Sequence, residues 1–196
     1  MTSWARLKEV LFDGFVRLEA WSVEGFRFDH ILVRSTDSVG CILVDSGRRR
    51  VLLVRQRRPA MLREDHPEGN VTELVAGRFD VDLGPAALAV KEAEEEAGVH
   101  LSESEVTLLN GGQPLALSSG VLTERSYLAL AFISPAQVVG EDDEIRGVAE
   151  EGEAIQREWV DLDAFVDPDA VHDDVRVWGA ACYLRALVAE GKLPSH

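Results

Sequence analysis

The stretch that most restricts this chain runs from Gly77 to Val99, GRFDVDLGPAALAVKEAEEEAGV. Its second half has the spacing of a helix. Gly84-Pro85 suits a start, with proline at the first helical position, and Gly98 suits a left-handed C-cap. Residues three and four apart share a helix face, so Glu92, Glu95 and Glu96 fall together. Ala86, Val90, Ala93 and Ala97 form an opposite face, small and apolar, expected to pack closely on a sheet. Mutually repelling carboxylates are stable side by side only with positive charge among them. Such a face is either a solvated acidic surface or a seat for hard divalent cations such as Mg²⁺. The surroundings favour the second. Glu73-Leu74-Val75-Ala76 is strand-like, Gly77 breaks the pattern, and a short loop leads into the helix.

Composition bounds the rest. A chain of 196 residues with 46% apolar content can bury a full core, so one domain with a small N-terminal extension is expected. The net charge of −15 opposes binding to nucleic acid. Apolar runs are too short to cross a bilayer and the N-terminus has no signal-peptide pattern, so a cytoplasmic protein without membrane contact is expected. Cys41 and Cys182 sit in apolar segments without metal-ligand spacing and are expected as buried free thiols.

Along the chain, the opening residues suggest a short helix or turn. Phe15–Val23 and Phe26–Arg34 then alternate around Gly25 as a hairpin. Ser38–Asp45 and Val51–Arg55 form a second hairpin, whose tip Arg48-Arg49-Arg50 is better explained by solvation than by phosphate binding. Strand alternation sends Arg55 and Arg57 to one face and Arg58 to the other. Residues 61–72 form a loop with an exposed His66, and Arg125–Ile133 is the longest late strand. Residues 140–153 are strongly acidic and mostly loop. A last strand at Glu158–Leu162 precedes a helix from Asp167 to about Glu190, with Val171, Val175, Trp178 and Cys182 as its core face. The class is α+β.

The Gly77–Val99 segment resembles the Nudix box. That signature is Gly, five residues, Glu, seven residues, Arg-Glu, an apolar residue, any residue, Glu-Glu, any residue, Gly and an apolar residue. Gly77, Glu92, Ala93, Glu95, Glu96, Gly98 and Val99 match in register; Lys91 replaces the Arg and Leu83 the first Glu. The order Val51–Val54, Arg55–Pro59, Glu73–Gly77 is similar to the nucleoside diphosphate sugar pyrophosphatases, and looks closest to the members acting on UDP-sugars.

The resemblance implies an α/β/α sandwich with a mixed sheet at 37–196, preceded by an antiparallel β extension at 1–36 that helps form a homodimer. It implies metal-dependent hydrolysis of a nucleoside diphosphate sugar (ADP-ribose, ADP-glucose, UDP-glucose or GDP-mannose) to a nucleoside monophosphate and a sugar 1-phosphate. Mg²⁺ or Mn²⁺ would be held by Glu92, Glu95, Glu96 and the Ala76 carbonyl. Arg58 would contact the diphosphate, Gly77 and Glu124 would lie against substrate, and Glu153 or Glu151 would act as base on a closing loop. Ser118–Glu124 resembles a substrate loop with Ser119 replacing a proline. Trp21, Phe26 and Phe28 are equally suited to stack a base and to fill a core. The alternative is a Nudix-like module that binds a sugar nucleotide without cleaving it, which Leu83, Lys91 and Ser119 favour.

Overall fold

β4 (Ser38–Asp45) and β5 (Arg50–Arg57) are near-continuous apolar runs because both faces of their sheet are covered. The computed structural model, which describes residues 4–147 and 154–193, shows what covers them. Val39, Cys41 and Leu43 meet Leu88, Ala89, Ala93 and Ala97 of α1 (Pro85–Ala97) on one side. Ile42 and Val44 meet α2 (Leu162–Phe165) and α3 (Val175–Ala189) on the other.

The sheet runs β11 (Gln156–Asp161), β5, β4, β10 (Arg125–Phe132), β8 (Thr107–Leu108). β6 (Asn70–Glu73) adds to β5, β7 (Val75–Arg78) to β4, and β9 (Leu115–Ala116) to β10. Only β4 and β10 are parallel among these pairs, so the sheet is mixed, as expected for an α/β/α sandwich. Along β4 the partner changes: Leu43–Asp45 pair with β5, whereas Ser38–Cys41 pair with β7. That split places the end of β5 and the end of β7 on either side of an opening.

A second antiparallel sheet precedes the domain: β1 (Ala5–Asp13), β2 (Arg17–Val23) and β3 (His30–Arg34). The expected hairpin is β2–β3, but the opening residues form a strand, not a helix or turn. The reason is that β1 is an edge strand, exposed along most of its length and irregular in register between Leu7 and Glu9 and between Val10 and Phe12. It therefore lacks the alternation that marks a half-buried strand. Val33 ties this sheet to the 118–124 loop, donating to Val121 and accepting from Thr123.

The last helix also departs from expectation. It begins at Val175, because the Asp174 carboxylate caps it by accepting from the Arg176 and Val177 amides. Its buried face is Val177, Ala180, Ala181 and Leu184, while Val171 precedes the helix and Val175 and Trp178 are exposed. The helix is apolar nearly all round, so periodicity alone selects no face. The alanines decide it, because they allow close approach to Ile42 and Leu53.

Candidate active site

α1 sits where local chemistry directs it. Pro85 occupies its first turn, and Gly98 ends it with φ 61° and ψ 35°. The expected small apolar face is rotated: Ala86 and Val90 are half-buried, and the core stripe is Leu88, Ala89, Ala93 and Ala97. Glu92 and Glu96 consequently lie at the buried shoulder of the helix, not on a solvated face, while Glu95 is exposed.

Both buried glutamates are turned toward β7. The Ala76 amide donates to Glu96 Oε2 at 2.9 Å. Gly77 lies against Glu92 so closely that a Cβ there would overlap the Glu92 carboxyl, which is the physical requirement for glycine at this position. Lys91 Nζ is 2.6 Å from Glu95 Oε2 and 3.3 Å from Glu92 Oε1. Burial raises the Glu92 pKa above the usual carboxylate value; Lys91 opposes the shift, and the charges of Glu95 and Asp80 add to it. Burial works against the charge on Lys91, but the bonds and charges of Glu95 and Glu92 outweigh it and leave its pKa raised.

These features test whether the residues suit a divalent cation. The donors are all hard oxygens, and one carboxylate is buried at a free-energy cost. A cationic ammonium already bridges Glu92 and Glu95, standing in for positive charge. The set fits in chemistry. Among the described residues no three His, Cys, Asp or Glu side chains are gathered closely enough to coordinate one ion outright.

Beside this cluster lies a cleft of about 1520 Å³, lined by Arg55–Pro59 at the end of β5, Asp80 beyond β7, Phe15, Asn70, Ile145, Ala154 and Gln156. Arg58 donates from Nε to Glu73 Oε2 at 2.8 Å, and Arg176 reaches the other Glu73 oxygen at 3.3 Å. Glu73 thus holds Arg58 at the cleft wall. Arg57 is paired with Glu68 at the surface, as expected of a solvated arginine. His66 is not fully exposed; its Nε2 lies 2.7 Å from the Asn70 carbonyl oxygen. Glu124 is not on this cleft. It lines a second, apolar pocket of about 420 Å³ with Trp21, Phe26, His30, Leu122 and Arg125. Phe28 is exposed and lines neither pocket. Glu151 and Glu153 lie outside the described residues.

Asp80 went unrecognised in the sequence. It lines the cleft and its charge acts on Glu92, yet in the sequence it is one of two acids in the loop before α1, with nothing to separate it from Asp82.

A protein-family description, the NUDIX domain, matches residues 34–179. The chain belongs to the Nudix family. α1 with the preceding strand and loop lies within that match and is the segment that resembles the Nudix box, and the chain is a Nudix hydrolase. It is also similar to the ADP-ribose pyrophosphatase of Haemophilus influenzae, at 29% identity over 160 residues, spanning 76% of this chain and 69% of that protein. Nudix hydrolases generally use divalent metal ions, in keeping with the oxygen-rich cluster on α1. No helix among the described residues is long and apolar enough to cross a membrane.

Proposed function

We propose that this Nudix hydrolase cleaves the diphosphate of a nucleoside diphosphate sugar, with ADP-ribose the first substrate to test, to a nucleoside monophosphate and a sugar phosphate. The observation that carries the reading is the juxtaposition of Arg58 and Asp80 across one cleft, with Asp80 acting electrostatically on the buried Glu92 of the Nudix box. The similarity to an ADP-ribose pyrophosphatase supports the substrate class and favours ADP-ribose over the UDP-sugars that the sequence pattern first suggested.

In this reading Arg58, braced by Glu73, steadies the diphosphate through its remaining guanidinium nitrogens. Glu92, Glu95, Glu96 and the Ala76 carbonyl would hold Mg²⁺ or Mn²⁺, with Gly77 giving the backbone its close approach to Glu92. A bound divalent ion would lower repulsion at phosphorus and the pKa of water. Water adds to one phosphorus, the bridging P–O bond breaks, and Glu153 or Glu151 accepts the proton that water loses. Glu124 acts from the apolar pocket, where it suits recognition of the nucleoside half. The active form is a homodimer built on the N-terminal sheet, on which Leu7, Leu11, Phe12 and Ile31 are all exposed. The free thiols of Cys41 and Cys182 suit a reducing, cytoplasmic setting.

The test is phosphatase-coupled turnover on ADP-ribose, ADP-glucose, UDP-glucose, GDP-mannose, a nucleoside triphosphate and a dinucleoside polyphosphate. Cleavage of a sugar nucleotide ahead of the last two is expected. Glu151→Gln and Glu153→Gln are expected to lower kcat, one of them by roughly 10²-fold or more, with the fold intact. Preference for the triphosphate would overturn the substrate class, and wild-type rates in both variants would remove the base assignment.

A further inference from the structure

Glu73 ends β6 at the corner where the chain leaves β5 for β4, and its side chain is only 10% exposed. A carboxylate so enclosed is costly unless both oxygens have donors. Arginines from two distant parts of the chain supply them. Oε2 accepts from Arg58 Nε at 2.8 Å, and Oε1 accepts from Arg176 Nη2 at 3.3 Å.

The two arginines differ in what they can reach. Arg58 lines the cleft with 42% of its side chain exposed, and its bond to Glu73 uses Nε alone. Its Nη1 and Nη2 have no partner among the described residues. Arg176 sits in the first turn of α3 and lines neither the cleft nor the apolar pocket. Its own position is fixed. Nε lies 3.5 Å from Asp174 Oδ1, and Cδ rests over β4, where a Cβ on Gly40 would meet it at 3.7 Å. The helix start does not depend on this side chain, because the Asp174 cap is made with the Arg176 and Val177 backbone amides.

We propose that Arg176 is a positioning residue for diphosphate binding: it acts through Glu73 on Arg58, setting the direction in which the free Nη atoms of Arg58 meet phosphate oxygens. A carboxylate held at both oxygens has a fixed plane; held at one, it turns about its last carbon–carbon bond, and the Arg58 guanidinium turns with it. An arginine fork binds two phosphate oxygens well only in the right plane. α3 thereby tunes substrate binding from outside both the cleft and the Nudix box. This inference rests on the hydrolase reading for the diphosphate that Arg58 meets.

The test is calorimetric titration in chelator, which needs no turnover, with ADP-ribose, ADP-glucose, UDP-glucose or GDP-mannose, whichever the wild-type protein binds most tightly. Arg176→Met is expected to raise Kd about tenfold. Arg185→Met is the control: Arg185 lies on the same helix and donates to the Val166 carbonyl, so its loss lowers Tm but moves Kd by less than about twofold. In an Arg58→Gln background, adding Arg176→Met is expected to change Kd by less than about twofold, because the arginine it positions is gone. Arg176→Gln carries the same readings if the methionine variant does not fold. An unchanged Kd in Arg176→Met overturns the proposal. So does equal weakening in Arg185→Met, which would mean a general loosening of α3, and so does a full tenfold effect that persists without Arg58. Wild-type protein that binds a sugar nucleotide but does not cleave it in Mg²⁺ overturns the hydrolase reading alone, and wild-type protein that binds none of the four overturns this inference.

Discussion

Glu92 is the residue on which burial and function pull against each other. Burial raises its pKa, and the Lys91 charge only partly offsets the effect. For a group whose folded-state pKa is raised, the stabilising contribution is complete below the unfolded value. It is lost as pH rises through the folded value. At neutral pH without a divalent cation, charged Glu92 therefore destabilises the fold. Glu92→Gln in chelator is expected to raise Tm by about 2–4 °C at pH 7.5. The gain should vanish below about pH 4, where both states carry the proton. A Tm gain that persists unchanged at acid pH would show that the effect is packing and not charge.

At the scale of elements, α1 is held at its C-terminal end by arginine. Arg157 of β11 is fully enclosed and donates to the carbonyls of Ala97, Val139 and Gly140. Burial lowers its pKa from the ordinary guanidinium value, yet the group stays cationic and opposes the negative end of the helix. Arg157→Met removes the arginine donor from the Ala97 and Gly140 carbonyls, while Val139 keeps its bond from Arg146; urea denaturation is expected to show a loss of about 2 kcal/mol or more, and a loss below about 0.5 kcal/mol would show that these bonds do not hold the helix end. The ends of α1 were legible in the sequence because Pro85 and Gly98 act locally. The start of α3 was less so, because Asp167 and Asp174 are both suitable caps in the sequence; in the structure Asp174 caps the helix while Asp167 accepts from the Asp169 amide in the turn before it. β1 was missed for lack of alternation, and the burial of Glu92 and Glu96 because their contacts with Gly77 and Ala76 span 15 and 20 positions of chain. The Nudix register was legible because its spacing is rigid, whereas Asp80 had no spacing to announce it.

At the scale of the whole molecule, the N-terminal sheet has little core of its own. Its buried side chains include Ala20, Val23 and Glu19, and the last is held charged chiefly by its bond from Arg34. The sheet's large apolar side chains open to solvent are the feature that supports the proposed dimer. Leu11→Asp with Ile31→Asp is expected to convert a dimer to a monomer in light scattering; a wild-type protein that is monomeric at micromolar concentration would contradict the dimer.

Above all, the Nudix-box carboxylates are proposed to work with a divalent cation on a sugar nucleotide. The most direct measurement is the rate of ADP-ribose cleavage against Mg²⁺ concentration for the wild-type protein and Glu96→Gln, whose amide oxygen can still accept the Ala76 bond. The rate is expected to rise from near zero in chelator to saturation in the wild type, and to fall by roughly a hundredfold or more in the variant at every Mg²⁺ concentration. Equal, cation-independent rates in both proteins would contradict the proposal.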